Sequence, residues 1–326
     1  MAARADAVSP GTGMWKLAQF FGIVLTFVLL AGLIREPELS LKILWNAVIP
    51  LLPAVFLIQP EIWRNTCPLA TLNVATGRRV GSRTISADAA RRFGAVGILL
   101  LLLMVPARRF LFNTDGTALA ITIIVVAVLA ILLGFVFDMK AGFCNAICPV
   151  LPVERLYGQR PLFKAPNAHC APCTLCTRKG CVDLVPLKSV EQTLGESAGA
   201  GRWLLTPYGA FAAAFPGFVI GYYTTTDTVL SAAGSVYAQV GLWMLGSYAL
   251  IAVLALVLKI PGAVATIPIA GLSIGLYYWF AAPVVTDALS LAAWAPTVIR
   301  VAAFGLLAVW LWRAHRLPHA PNGGAV

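Results

Sequence analysis

Residues 143–181 decide how the rest of the chain is read. They open with Phe143-Cys144-Asn145-Ala146-Ile147-Cys148-Pro149 and close with His169-Cys170-Ala171-Pro172-Cys173-Thr174-Leu175-Cys176-Thr177-Arg178-Lys179-Gly180-Cys181. Six of the seven cysteines lie here, and the seventh, Cys67, also precedes a proline. Cys170, Cys173, Cys176 and Cys181 form a Cys-x2-Cys-x2-Cys-x4-Cys run, and Cys144 and Cys148 form a Cys-x3-Cys-Pro pair.

Three cysteines at successive spacings of three let one tight loop wrap a cubane, each thiolate meeting a different iron, which is how ferredoxin loops hold [4Fe–4S]. The last spacing here is x4 rather than the usual x3-Cys-Pro, so the fourth ligand stays open between Cys181 and a remote cysteine. Structural zinc takes two Cys-x2-Cys knuckles roughly 12–20 residues apart, and these cysteines are too crowded for that. A c-type haem needs Cys-x-x-Cys-His, but Thr177 follows Cys176 and His169 lies on the wrong side. A disulfide staple needs an oxidising compartment, which the charge pattern below denies it. One [4Fe–4S] cluster on Cys170, Cys173, Cys176 and Cys181 is the expectation.

The chain has 326 residues, 60% hydrophobic and 11% charged, with a mean hydropathy of +0.84. A soluble domain carries about 25% charged residues, so there is too little polar surface here to cover a globule in water. Several apolar runs approach the ~20 residues that cross a bilayer. The expected class is an all-α polytopic membrane protein. Its net charge of +11 sits in loops beside apolar runs, where positive-inside anchoring explains it without nucleic acid.

Taken in order, residues 1–137 read as four spans with a basic Cys-Pro loop between the second and third. The spans are Trp15–Ile34, Leu39–Ile58 with Pro50 and Pro53 inside it, Phe93–Ala107 and Thr117–Phe137. Residues 138–202 are the one polar domain and hold the cysteine run, with a candidate amphipathic helix from Lys188. Residues 203–316 read as four more spans, near Trp203–Tyr223, Gln239–Leu258, Ala263–Ala282 and Ala293–Trp312, with a short surface helix at Ser231–Tyr237. Residues 317–326 are a tail. With both termini inside, 19 of the 24 Lys and Arg fall on the inner side, which puts the cluster domain on the cytoplasmic side.

A weak internal repeat runs through the first half. Two spans lead into Trp63-Arg64-Asn65-Thr66-Cys67-Pro68, and two more lead into Cys144-Asn145-Ala146-Ile147-Cys148-Pro149. Trp63 takes the slot of Cys144. If the repeat holds, Cys67, Cys144 and Cys148 converge at the inner membrane edge as a second metal site or as remote ligands of the first. In two-cluster ferredoxins the fourth cysteine of each run serves the other cluster.

On these motifs, residues 15–185 resemble the membrane-bound ferredoxin-type proteins of the NapH, NosR and CcoG kind. The resemblance implies membrane hairpins ending in Cys-x3-Cys-Pro, a cytoplasmic ferredoxin-like segment, and electron transfer between the quinone pool or a cytoplasmic donor and a redox partner. It implies a partner subunit in a respiratory or photosynthetic chain, with lipid around the spans. This chain has one and a half Cys-x3-Cys-Pro motifs and a single variant ferredoxin run.

None of the three histidines, His169, His315 and His319, lies in an expected span, so this chain alone offers no bis-histidine haem within the bilayer. His169, Arg178 and Lys179 read as a solvated basic loop or as groups tuning the cluster. Arg300 is the one charge expected inside a span, with Asp227 and Asp287 as candidate ion-pair partners. Tyr222, Tyr223, Tyr277, Tyr278 and Trp279 read as an interface belt rather than a cofactor box. No acid–base apparatus is visible, so the reading is an electron carrier or oxidoreductase component rather than a catalyst with its own substrate pocket. The rival is a copper or iron handling or assembly factor, since soft thiolates suit Cu(I) as well as iron–sulfur.

Overall fold

The computed structural model describes residues 12–77, 79–83, 85–137, 140–158, 160–163 and 199–316. The expectations on His169, Cys170, Cys173, Cys176, Arg178, Lys179, Cys181, the helix at Lys188 and the tail lie outside the described residues. Within them the chain is helical and has no strand. The first hairpin is α1 (Thr12–Arg35), then α2 (Pro37–Ile43), a π-turn (Leu44–Val48) and α3 (Ile49–Ile58), followed by short α4 (Pro60–Thr66) and α5 (Pro68–Gly77). The second is α6 (Ala87–Met104), a 3-10 turn (Pro106–Arg109) and α7 (Gly116–Val136), followed by a π-turn (Phe143–Ile147) and α8 (Leu151–Tyr157). Short α9 (Ala200–Leu204) then leads into α10 (Pro207–Thr224), α11 (Ala233–Val257), α12 (Gly262–Ala288) and α13 (Ala295–Arg316).

Side chains fix where several helices begin. Ser86 Oγ accepts from Ala89 N (3.1 Å), Asp115 Oδ1 from Ala118 N (2.8 Å) and Thr206 Oγ1 from Gly209 N (3.0 Å). Each satisfies one of the orphan donors of a first turn. The Ser86 cap starts α6 at Ala87, six residues before the expected Phe93.

Among the described residues, six helical stretches are long and apolar enough to cross a membrane: Met14–Arg35, Pro37–Ile58, Gly116–Val136, Leu230–Val257, Val264–Ala288 and Ala295–Arg316. Phe20, Leu25, Phe27 and Val28 of α1 are exposed, as befits a helix whose solvent is lipid. The third and fifth expected spans fall on α6 and α10. The first turns of α6 carry Arg91 and Arg92. Helix α10 is rich in Gly, Ala and Phe and is buried by its neighbours, with Ala212 and Ala213 fully enclosed. A helix shielded by protein on all sides does not need a lipid-facing surface. It packs closely on α11, where Ser247 Oγ donates to Ala213 O (2.8 Å). Ser231–Tyr237 is not a separate surface helix. A 3-10 turn at Leu230–Ala232 runs straight into α11.

Pro50 and Pro53 break the backbone ladder of the second stretch, and Tyr278 of α12 repairs it. Its hydroxyl donates to Pro50 O (2.8 Å) and accepts from Ala54 N (3.1 Å). This is the neighbour-supplied satisfaction that a proline needs inside a membrane helix.

The two hairpins turn at the same end. Gly116 lies against Leu33 O and Pro37, and Trp45 Nε1 donates to Phe112 O (3.0 Å). Their other ends therefore meet as well, and those are the ends that carry the cysteines.

Candidate metal centre

Cys67, Cys144 and Cys148 are the described cysteines, and none is in a disulfide. Cys67 joins α4 to α5 with φ −55° and ψ 123°. Cys148 follows the second π-turn with φ −59° and ψ 123°. The two backbones are the same, and a proline follows each. Cys67 Sγ accepts hydrogen bonds from the N–H groups of Leu69 and Ala70, and Cys148 Sγ from those of Val150 and Leu151. A sulfur thus takes the place of a capping oxygen at the start of a helical turn. Two N–H donors on one sulfur favour its thiolate and its metal-bound form. The expected repeat is present at these two residues as a repeated local geometry.

Cys67 and Cys148 lie close enough for the charge of one to act on the other. Burial is the larger effect. It raises the Cys67 thiol and pushes Cys148 up to about 12, with the neighbouring Cys67 adding to it. At neutral pH without metal both thiols keep their protons, and a metal ion would displace them. Cys144 sits in the π-turn, with Sγ 4.0 Å from Asn73 Oδ1. Asn73 is fully buried on α5 and donates to Ala130 O (2.8 Å), so it ties together α5, α7 and the turn that carries Cys144.

Two glycines let these pieces approach. A Cβ on Gly97 of α6 would meet Cys148 O at 2.9 Å, and one on Gly134 of α7 would meet Asn73 O at 2.7 Å. Both would strike backbone, which cannot move aside alone.

A buried charged layer surrounds the thiols. Arg64 of α4 pairs with Glu154 of α8, and Lys140 Nζ donates to Arg64 O (2.9 Å). Glu61 and Arg155 are buried beside them. Burial lowers Arg155 to about 10, opposed by Tyr208 and Glu154, so it stays cationic at neutral pH. Among the described residues this layer sets Arg64, Lys140 and Arg155 beside Glu61 and Glu154. The amide of Asn145, next to Cys144, is buried with neither Oδ1 nor Nδ2 hydrogen-bonded among the described residues. Such an orphan costs about 1–3 kcal/mol until a partner arrives. A cavity of about 300 Å3 lies beside Cys148, lined also by Arg155, Tyr208 and Ala95.

The donor chemistry fits a thiolate-held metal group: two sulfurs with N–H donors, buried cations close by and an amide with no hydrogen bond among the described residues. The ligand count is incomplete, because no three His, Cys, Asp or Glu come together as a metal site among the described residues. Described residues on both sides of 164–198, the segment with Cys170, Cys173, Cys176 and Cys181, lie at this same end. Phe163 N donates to Ile58 O (2.8 Å) on one flank, and Thr206 and Tyr208, just beyond the other, line the cavity beside Cys148.

The sequence reading passed over Glu61, Arg64, Lys140, Asn145, Glu154, Arg155 and Tyr208. A signal existed for two of them: Glu61 stands six residues before Cys67 and Glu154 six after Cys148, in a chain with only 13 acidic residues. Two other expectations are corrected. Arg300 pairs with neither Asp227 nor Asp287; it donates to Trp279 O (2.7 and 3.1 Å) and lies over the Trp279 ring at 4.2 Å. Asp227 pairs with Arg109 instead. Tyr222 and Tyr278 are buried in the bundle, and Tyr223 and Tyr277 are partly buried beside them. Of the five aromatics read as a belt, Trp279 alone is exposed.

No protein-family model matches the chain, and neither a curated protein nor a solved structure is significantly similar to it.

Proposed function

We propose that the chain is a membrane-bound iron–sulfur electron-transfer protein of the ferredoxin-type kind that its motifs resemble. Cys170, Cys173 and Cys176 hold a [4Fe–4S] cluster, with Cys181 or a Cys-Pro thiol as fourth ligand. Such a cluster supplies one-electron exchange. One observation carries the reading. Two Cys-Pro thiols 81 residues apart in sequence share one backbone geometry and lie together in a buried charged layer.

In this reading the chain's residues have separate tasks. Arg64, Lys140 and Arg155 offset thiolate charge. The N–H groups of Leu69, Ala70, Val150 and Leu151 hold the two sulfurs. Ala95 and Ile98 of α6, with Leu205 and Pro207 at the start of α10, line the cavity beside Cys148 and limit water there. The chain crosses a bacterial inner membrane eight times, with α6 and α10 among the spans and the cysteine end in the cytoplasm. A quinone-linked or cytoplasmic donor, and a redox partner subunit, complete the path.

Anaerobic purification followed by iron, sulfide, zinc and copper analysis with EPR tests the reading. Iron and sulfide at about four each per cluster, with an S = 1/2 signal on reduction, is the expected result. One equivalent of zinc or copper without iron would replace it with the metal-handling reading. Cys67→Ser, Cys144→Ser and Cys148→Ser, made singly, then ask whether the membrane-edge thiols hold metal. Iron content and EPR unchanged in all three would leave the segment from Cys170 to Cys181 working alone.

A further inference from the structure

The opposite end of the bundle holds a second polar site. A cavity of about 560 Å3 lies between α2, the 3-10 turn Pro106–Arg109 and the far ends of α10 and α12. Its volume falls within the roughly 300–1,000 Å3 of small-molecule pockets. Trp45, Tyr222, Tyr223 and Tyr277 supply aromatic walls, and Ala281 and Val285 supply an apolar one.

Two adjacent arginines line this cavity, and they are differently engaged. Arg109 is fully used: Nη1 donates to Asp227 Oδ1 (2.9 Å), while Nε and Nη2 donate to Tyr222 O (3.1 and 2.9 Å). Asp227 is used as well, by Arg109 and by the Asn113 amide (3.0 and 3.1 Å). Arg108 is held between rings, its guanidinium carbon 3.8 Å from the Trp45 centroid and 5.5 Å from that of Tyr222. Its Nε donates to Asn113 Oδ1 (3.2 Å). Its two terminal nitrogens have no acceptor, and no carboxylate pairs with it, among the described residues.

A guanidinium held over aromatic rings is a preorganised fork, matched in shape to a carboxylate or phosphate. Lys42, Arg108 and Arg109 against Glu38 and Asp227 leave the cavity one positive charge in excess. We propose that this cavity binds an oxyanion head, carboxylate or phosphate, on a molecule with an apolar body, and that Arg108 is its charged anchor. Anionic phospholipids and soluble organic anions both present that chemistry. The site lies at the far end of the bundle from the cysteines and does not depend on the iron–sulfur reading.

The test uses the full-length protein, delipidated in neutral detergent. It is titrated by calorimetry with inorganic phosphate and with dihexanoylphosphatidylglycerol, dihexanoylphosphatidylcholine serving as control. The expected result is saturable binding of at least one anionic probe, weakened about ten-fold or more by Arg108→Gln, as the loss of hydrogen bonds to a charged group implies. Binding of the phosphatidylglycerol alone assigns a lipid head group. Binding of phosphate, with phosphatidylglycerol competing, assigns a soluble anion. No saturable binding of either probe, or equal affinity in Arg108→Gln, overturns the proposal. Removing a packed arginine can prevent folding, so the wild type is also labelled with phenylglyoxal. A bound probe should protect Arg108 several-fold in peptide mass spectra, and equal labelling with and without probe also overturns it.

Discussion

Replacing Glu154 by Gln keeps the side-chain shape and removes one charge from the layer around Cys67 and Cys148. The side chains of Glu154 and Arg64 are 7% and 4% exposed, so water cannot take over the lost role. Among the described residues, Glu61 is then the remaining buried carboxylate beside Arg64, Lys140 and Arg155. Breaking one partner of a buried ion pair costs about 3–5 kcal/mol, because it strands an uncompensated charge. Glu154→Gln in the metal-free protein should lose that much in SDS-driven unfolding from mixed micelles, followed by far-ultraviolet circular dichroism. Arg64→Met should cost a similar amount. The double change Arg64→Met/Glu154→Met removes both charges into an apolar setting and should return to within about 1 kcal/mol of the parent. A Glu154→Gln loss below about 1 kcal/mol, or a double variant that simply adds the two losses, would refute the idea that this pair clamps α4 to α8.

Three further outcomes follow from the same geometry. Gly134→Val places a side chain against Asn73 O and Thr76. It should cost about 1–3 kcal/mol by overpacking and lower metal content by moving α5 away from α7, both read on the purified variant. Tyr278→Phe strands the Ala54 N–H beside Pro50. Faster amide exchange at Ala54 and a loss of about 1–3 kcal/mol should result, and unchanged exchange would show that another group serves that amide. Reporter fusions after Gly77 and after Lys188 should report cytoplasm and one after Thr114 the outer side, as the distribution of Lys and Arg requires. A periplasmic signal at Lys188 would reopen the disulfide reading.

Much of the architecture was legible because a membrane span is a statistical object. About twenty apolar residues in a row leave the backbone no choice but a helix, and α1, α7 and α11 follow from that alone. The ends of α6 and α10 were harder, since protein burial and capping set them rather than hydropathy. The candidate site was half legible. Cysteine spacing and Cys-Pro carry local geometry, and local geometry can be read from sequence. The Arg64–Glu154 pair spans 90 residues, and nothing local announces it. The tyrosines misled for a related reason. Near the end of an expected span Tyr222 and Tyr277 suit a lipid interface or an internal cavity equally well, and the choice rests on which neighbours surround them.

The difference between the two Cys-Pro units has a structural cause. In the first, the Cys67 N–H bonds to Trp63 O, four residues back, in an ordinary helical turn; in the second, the Cys148 N–H reaches Phe143 O, five residues back, in a π-turn. Trp63 and Cys144 both stand four residues before their Cys-Pro, yet only Trp63 supplies the closing carbonyl. Its ring packs edge-on against Phe56, centroids 6.1 Å apart, as a core side chain does. The wider turn leaves Cys144 free of that closing role and sets its sulfur against Asn73 of the other unit. Single π-turns inside helices recur at functional sites, and here one carries the extra cysteine while the unit with the ordinary turn carries a packing residue. The asymmetry fits a duplicated hairpin in which one copy keeps two thiols at the membrane edge and the other keeps one thiol and a wall. Restoring the first unit's second thiol with Trp63→Cys should therefore open a gap beside Phe56 and cost about 3–5 kcal/mol without adding iron. An increase in iron content on that substitution would mean that the ordinary turn also presents its fourth-back residue to the metal.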